Sequence, residues 1–486
     1  MLDIVYKWID ERINLKGLQN KMLNEPIPGG ARYAYVFGSA LLFIFAMQIV
    51  TGILMMFYYA PTVDHAWQSI RYIMEDVDYG WLIRGIHHWG SSAMVVLLVV
   101  HATQVFLWGA YKKPREMVWI VGLLLAQVVI GLGFTGYLLP WDQKAYWGSV
   151  VGIEVAGVVP VIGDFLARFL KGGTSAGVLT LNRFFVIHVM ILPLSLMGLA
   201  GLHLFLFRKA GPAGPYKGEP AELERKKEFF FPKQVYKDSV FMLMVFAALV
   251  GLSYVWPPEL MSKANPAASA FDPEPEWYFL AIFQLLRLPI FAGQWGEFVG
   301  AIVVPGLFFG LLFSLPFLDT RKERHPLKRP IATGGLVVFF VSMLVLMGIA
   351  VSTREALFHH DEKLSALGME IYYTKGNCAA CHVIAGLDEE IRGAPGGAIG
   401  PALTDEADVD KRQVGGFLEW QIMHLKDPAK LSPGSIMPPA AAVGLTENEM
   451  IALVHFLGDH TKGLPGKGME AFKKKLETAS AAGAKP

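Results

Sequence analysis

Seven stretches of this 486-residue chain stay apolar long enough to cross a bilayer: about 33–59, 83–108, 117–139, 184–207, 238–256, 296–318 and 332–352. A hydrocarbon core of roughly 30 Å requires about 20 such residues in a helix. Inside lipid every backbone N–H and C=O must be satisfied within its own segment, so runs of this kind can only be helices. Composition agrees, with 53% hydrophobic and 17% charged residues, far from the soluble average. The net charge is +1, so no global field draws the chain to nucleic acid.

Basic residues are retained on the cytoplasmic side of a span, and their distribution sets its direction. The N-terminal segment and the connections after the second, fourth and sixth runs hold 21 Lys and Arg, whereas the other three connections hold seven. The N-terminus is therefore expected in the cytoplasm, and the region after the seventh run outside. The connections 140–183 and 257–295 also face outward on this count, and connections of that length usually serve function. From about residue 361 the chain is less apolar and reads as a small soluble domain.

The second run carries His87, His88 and His101, and the fourth His188 and His203. A buried ionisable group in a membrane helix is costly and usually has a partner. At about 100° per residue, the 14-residue gap leaves His87 and His101 about 40° apart, and the 15-residue gap leaves His188 and His203 about 60° apart. Each pair shares a face with its members about 21 Å apart along the axis. His88 lies about 140° from His101 and is set aside as a ligand. Two helices equipped in this way can hold two b-type haems, each ligated by imidazoles from both sides, which favours electron transfer over ligand chemistry. Gly38 and Gly52 in the first run, and Gly122 and Gly136 in the third, repeat the 14-residue spacing. A porphyrin edge needs backbone free of side chains at such positions.

Both cysteines fall in Cys378-Ala379-Ala380-Cys381-His382, a c-type haem attachment sequence in which two thiols capture vinyl groups and the adjacent His ligates iron. No second cysteine pair exists to complete a structural zinc site.

Together these residues resemble the cytochrome b family. Gly136-Tyr137-Leu138-Leu139-Pro140-Trp141, Trp147-Gly148 and Pro275-Glu276-Trp277-Tyr278 are similar to its outer quinol-site segments. The 15-residue histidine gap, Val159 to Gly163 and Arg208-Lys209 are similar to the cytochrome b6f branch. From residue 233 the chain resembles that branch's three-helix subunit IV, and residues 366–460 resemble a class I mono-haem cytochrome c. The expected fold is an all-α membrane protein with a four-helix di-haem bundle, divided into 1–232, 233–360 and a cytochrome c domain with tail at 361–486.

The resemblance implies that His87 and His188 bind the outer haem, and His101 and His203 the inner. Arg84 would neutralise a haem propionate. Quinol oxidation sheds two protons and two electrons, so it needs a proton acceptor beside an apolar, aromatic slot; Glu276 is the candidate acceptor, with Tyr137 and Tyr278 closing the slot. Lys237 and Asp238 correspond to an inner quinone-reduction pair, with Arg208 near the same face. Val36 stands where the b6f branch carries a cysteine for an additional haem, so that covalent link is absent. In the terminal domain, Pro401 would hold the His382 ring by its carbonyl and Met437 would be the sixth ligand, while His424, His455 and His460 read as helix-surface residues.

The implied activity is that of a quinol:cytochrome c oxidoreductase subunit in a bacterial inner membrane, with the terminal domain periplasmic. Quinol oxidation at the outer face would send one electron to a Rieske iron-sulfur protein and the c haem, and the other through two b haems to a quinone at the inner face, coupled to proton translocation. Implied partners are that Rieske protein, the membrane quinone pool, a cytochrome c or other high-potential acceptor, and a second copy in a homodimer. The rival reading, a di-haem anchor passing electrons to or from a dehydrogenase without bifurcation, leaves Pro275 to Tyr278 unexplained.

Overall fold

The computed structural model describes residues 2–17, 23–261, 263–264, 266, 275–355, 362–384, 399–400, 403, 416–431 and 435–459. The protein forms two compact units, one of Met1–Leu260 with Pro275–Leu346 and one of Met261–Glu274 with Met347–Pro486. Among the described residues, seven helices are long and apolar enough to cross a membrane: Tyr33–Met56, Gly80–Leu107, Glu116–Tyr137, Val178–Ala210, Phe230–Val255, Trp295–Leu318 and Pro330–Ser352. It is a multi-pass membrane protein, and among the described residues the one sheet is a two-residue antiparallel pairing of Pro26–Ile27 with Glu228–Phe229.

The first span packs along the second and the third along the fourth, while the fifth lies against the first two and the sixth against the third. Ala40, Ile44, Met94, Leu97, Val129 and Leu196 form one buried cluster. Each falls in sequence between the paired glycines or histidines of its own span, so an apolar layer separates two tiers of polar side chains.

The fourth span begins at Val178, six residues before the apolar run, because Thr180, Asn182 and Arg183 lower the local hydropathy of its first turns. It also contains a π-helical turn, Ile187–Ile191, around His188. Pro193 follows two residues later, and its missing N–H cannot serve the carbonyl four residues back. The sixth span repeats the arrangement, with a π turn at Val299–Val303 and Pro305 two residues on. A π turn absorbs one extra residue in a helix. The 15-residue gap from His188 to His203 thus presents the two rings as a 14-residue gap would, in step with His87 and His101.

At the C-terminal end of the second span, basic side chains lock the connections together. Arg329 is fully buried and donates to the carbonyls of Phe106 and Leu107 and to the Tyr111 hydroxyl. Asp319 accepts from the Tyr111 hydroxyl at 2.6 Å and pairs with Lys112 at 2.7 Å. Burial alone would raise the Asp319 carboxyl, but its hydrogen bonds to Lys112 and Tyr111 and the nearby Arg329 charge hold it below the ordinary carboxylate value. Arg324 donates to the carbonyls of Trp108, Ala213 and Gly214, and Arg115 to those of Gly211 and Pro212. Cations at helix C-termini satisfy carbonyls that have no partner in the helix.

In the second unit, helix Glu362–Tyr373 packs on helix Glu447–Asp459. Gly368 makes the crossing possible, since a Cβ there would stand 1.9 Å from the Ala452 carbonyl oxygen. Met369, Tyr372, Leu453 and Phe456 fill the core between them.

Candidate functional site

Each of the four spaced glycines meets one of the four spaced histidines. A Cβ added to Gly38 would stand 3.4 Å from Cε1 of His101, and one on Gly52 3.4 Å from Cε1 of His87. On Gly122 it would be 3.2 Å from Cε1 of His203, and on Gly136 2.5 Å from Cε1 of His188. The glycines therefore make room for the imidazole rings themselves, a closer role than clearing a porphyrin edge. His87 and His188 face each other with ring centres 6.4 Å apart. Two metal–nitrogen bonds of about 2 Å each, plus the reach of each ring, set imidazole centres about 6 Å apart across a metal.

Two threonines orient the rings of this tier. Thr51 donates its hydroxyl proton to the Met47 carbonyl at 2.8 Å and lies 2.9 Å from His87 Nδ1. Thr135 donates to the Gly131 carbonyl at 2.8 Å and lies 3.3 Å from His188 Nδ1. His87 and His188 also bond to the backbone carbonyls of Gln48 and Leu132, and a ring that donates through Nδ1–H keeps a free lone pair on Nε2 for a metal. The residues present therefore fit a bis-imidazole haem iron. Gln48 adds a bond to the His87 carbonyl at 2.9 Å. Sequence reasoning missed these groups, although the repeated dipeptides Thr51-Gly52 and Thr135-Gly136 were a legible signal.

Arg84, 8% exposed, donates to the carbonyls of Pro258 at 2.6 Å and Glu259 at 2.8 Å. It fastens the segment after the fifth span to the start of the second. His88 packs edge-on against Trp89, off the face shared by His87 and His101.

Glu276, Tyr278 and Tyr137 come together on the first unit. Glu276 forms an ion pair with Lys144 at 3.1 Å, and the Tyr137 hydroxyl donates to the Lys144 carbonyl at 2.8 Å. Tyr278 packs on Gly133, where a Cβ would lie 3.2 Å from its hydroxyl oxygen. Burial raises the Tyr278 phenol, the Glu276 charge adds to this, and a hydrogen bond with Ser91 opposes it. Trp277 donates to Ser92 at 3.2 Å. Trp277, Tyr278 and Phe279 pack edge-on against one another in the turn that follows the Glu276 carboxylate. Lys144, counted only as a loop charge in the sequence, is the residue here that spacing could not reveal.

Lys237 and Asp238 turn to different partners. Asp238 is buried and accepts from Gln234 at 2.8 Å, while the Lys237 ammonium lies 4.6 Å from the centre of the Tyr33 ring. Arg208 pairs with Glu25 at 3.3 Å and lies over the Phe230 ring. Val36 is 1% exposed.

In the second unit, His382 N–H donates to the Cys378 carbonyl at 2.9 Å, closing the attachment pentapeptide into a tight turn after Asn377, whose φ is 46°. Gly400 clears the His382 ring, since a Cβ there would stand 2.5 Å from its Cε1. Tyr372, Cys378, His382, Leu425 and Met437 line one cavity, a donor set that fits a thioether-linked haem with His and Met ligands. His424 also lines this cavity, and His455 is 8% exposed. The expectation of surface positions for these two is corrected: each faces the core side of its helix. Pro401 and His460 lie outside the described residues. Among the described residues no three His, Cys, Asp or Glu side chains cluster as a metal site.

The spans and facing histidines define a membrane cytochrome, and comparison with known proteins gives its kind. Residues 22–211 match the family model for cytochrome b/b6/petB, residues 263–368 that for cytochrome b (C-terminal)/b6/petD, and residues 365–461 that for cytochrome c. The chain is 38% identical over 346 residues to a cytochrome bc complex cytochrome b subunit of Chlorobaculum thiosulfatiphilum, covering 70% of this chain and 79% of that one. It is 42% identical over 223 residues to a menaquinol:cytochrome c reductase cytochrome b subunit of Geobacillus thermodenitrificans, 44% of this chain and all of that one. A solved structure described as a hyperthermophilic respiratory Complex III superposes with a TM-score of 0.62 at 31% identity, over 71% of this chain and 91% of that chain. The chain belongs to the cytochrome b/b6 family, with a cytochrome c domain in the same polypeptide. It is a cytochrome b subunit of a bc-type quinol:cytochrome c oxidoreductase, and both of its families carry haem.

Proposed function

We propose that this chain splits the two electrons of a quinol between opposite faces of a bacterial inner membrane, with its N-terminus in the cytoplasm and its cytochrome c domain in the periplasm. Quinol binds in the slot of Tyr137 and Tyr278, and Glu276 accepts a proton from its hydroxyl. His87 with His188 and His101 with His203 would hold two b-type haems. Cys378, Cys381, His382 and Met437 would hold a covalent c-type haem, with the Pro401 carbonyl on the His382 ring. Bound there, the haems supply one-electron relays. One electron leaves toward a Rieske iron-sulfur protein and the cytochrome c domain, and on to a cytochrome c or other high-potential acceptor. The other leaves toward the inner face, where Asp238, Lys237 and Arg208 receive a quinone and Asp238 passes it protons.

Proton release and uptake on opposite sides make the reaction a charge separation. Relatives named for menaquinol support menaquinol as the quinol, and the complex is a homodimer. The observation that carries the proposal is the pair of histidine tiers, each ring seated on its own glycine, with the Glu276 carboxylate joined through Lys144 to Tyr137. In purified complex, quinol should reduce both b and c haems. Reduction of the c haem at an undiminished rate in Glu276→Ala would refute the scheme.

A further inference from the structure

Lys144 and Glu276 each occupy a position that local helix physics does not favour. Asp142 caps helix Gln143–Gly157 by accepting from the Ala145 N–H at 2.8 Å, which puts Lys144 in the first turn. A cation there sits at the positive end of the helix dipole, the wrong end for its charge. Glu276 is the N-cap residue of helix Trp277–Leu286, where a carboxylate could accept from the free N–H groups of the first turn, yet its side chain makes no capping bond. Both side chains leave those local partners and meet at 3.1 Å, with Glu276 19% and Lys144 29% exposed. The turn that delivers Lys144 carries Trp141 at φ 53° and 3% exposed, a left-handed conformation uncommon for a bulky residue. The Lys144 carbonyl in turn receives the Tyr137 hydroxyl, and its ammonium lies 5.9 Å from the Tyr137 ring centre. One residue thus joins the carboxylate to Tyr137, across 132 positions of sequence.

We propose that Lys144 is a positioning residue for quinol oxidation, a latch that holds the Glu276 carboxylate toward the slot and lets go once that carboxylate is protonated. The inference rests on the reading of Glu276 as proton acceptor. In the step, the quinol O–H bond breaks and its electron pair stays on the quinol oxygen. A new O–H bond forms on Glu276, and the quinol's electrons leave to the acceptors named above. Lys144 keeps its proton throughout. Neutralising the carboxylate removes the charge attraction across the 3.1 Å contact, so the protonated side chain is freed to turn outward.

The test uses the full purified complex and steady-state quinol:cytochrome c reduction in Lys144→Met, Lys144→Arg, Lys144→Ala and Glu276→Gln variants. Lys144→Met should lower kcat about 10- to 100-fold, the scale of losing positional control of a reacting group, with KM for quinol within about twofold. Lys144→Arg should restore most of the rate, and added alkylammonium ions should rescue Lys144→Ala where neutral alcohols of the same size do not. Haem spectra and melting temperature matching the parent show that each variant is folded. A wild-type kcat in Lys144→Met, or equal impairment of Lys144→Met and Lys144→Arg, overturns the latch. If Glu276→Gln itself keeps the parental rate, the reading of Glu276 fails instead, and the two failures are told apart.

Discussion

The seat of His188 on Gly136 gives the most demanding test of the two-tier arrangement. Gly136→Ala would place a methyl carbon 2.5 Å from Cε1 of the ring, whereas 3.4 Å is ordinary contact, so about 0.9 Å must be found. The ring cannot simply turn aside, because its Nδ1 is tied to Thr135 on the same helix as Gly136. Overpacking of this kind costs about 1–3 kcal/mol, which corresponds to an about 5- to 150-fold loss of haem affinity at that tier. The assay is haem content by pyridine haemochrome, with a redox titration of the b absorbance, in the purified variant beside Gly38→Ala. At Gly38 the added carbon meets His101 at 3.4 Å, a contact that a few tenths of an ångström of relaxation absorbs. Gly136→Ala should lose or shift one of two b components while Gly38→Ala keeps both. Equal behaviour of the two variants, or an unaltered titration in Gly136→Ala, would show that the glycines do not seat the ligands.

Two further outcomes follow from the polar groups. Met437→His should keep the c-type haem covalently attached but lower its midpoint potential, on the order of 0.1–0.3 V within the range that axial ligands span, measured by titration at the c absorbance band. Asp319→Asn leaves the buried Lys112 and Arg329 charges without their carboxylate and should destabilise the detergent-solubilised protein by about 3–5 kcal/mol. The Asp319 carboxyl is held below its ordinary value, so its contribution is fully present above an unfolded value of about 3.9. The gap in melting temperature between parent and variant should therefore hold steady at neutral pH and shrink as the pH falls through the folded value.

The spans and histidine pairs were legible because membrane helices impose periodicity: apolar length and a repeated 14-residue gap each report on one segment at a time. The attachment motif at Cys378 was legible for the same reason. What escaped notice depends on chain segments meeting at a distance. Glu276 and Lys144 lie in separate connections, and nothing local in either predicts the other. The bonds of Arg84 to carbonyls in the connection after the fifth span are of the same kind. The threonine bonds to His87 and His188 needed coordinates, although the Thr-Gly dipeptides that make them stood in plain view. His424 and His455 were misjudged because a short helix in a small domain has little polar surface to spare, and a histidine faces inward there without any change in pattern.

The π turn around His188 means that residue spacing and ring spacing are different measurements. Counting along the chain, the second and fourth spans differ by one residue, yet each of their four rings meets a glycine of the 14-residue series. A helix of this kind works like a vernier, in which one slipped division brings two unequal scales into register. Removing a single residue from Ile187–Ile191 would close the turn to a regular α-helix and keep both rings on their tiers. Two proteins of this architecture can therefore differ in histidine count-spacing while holding their ligands alike.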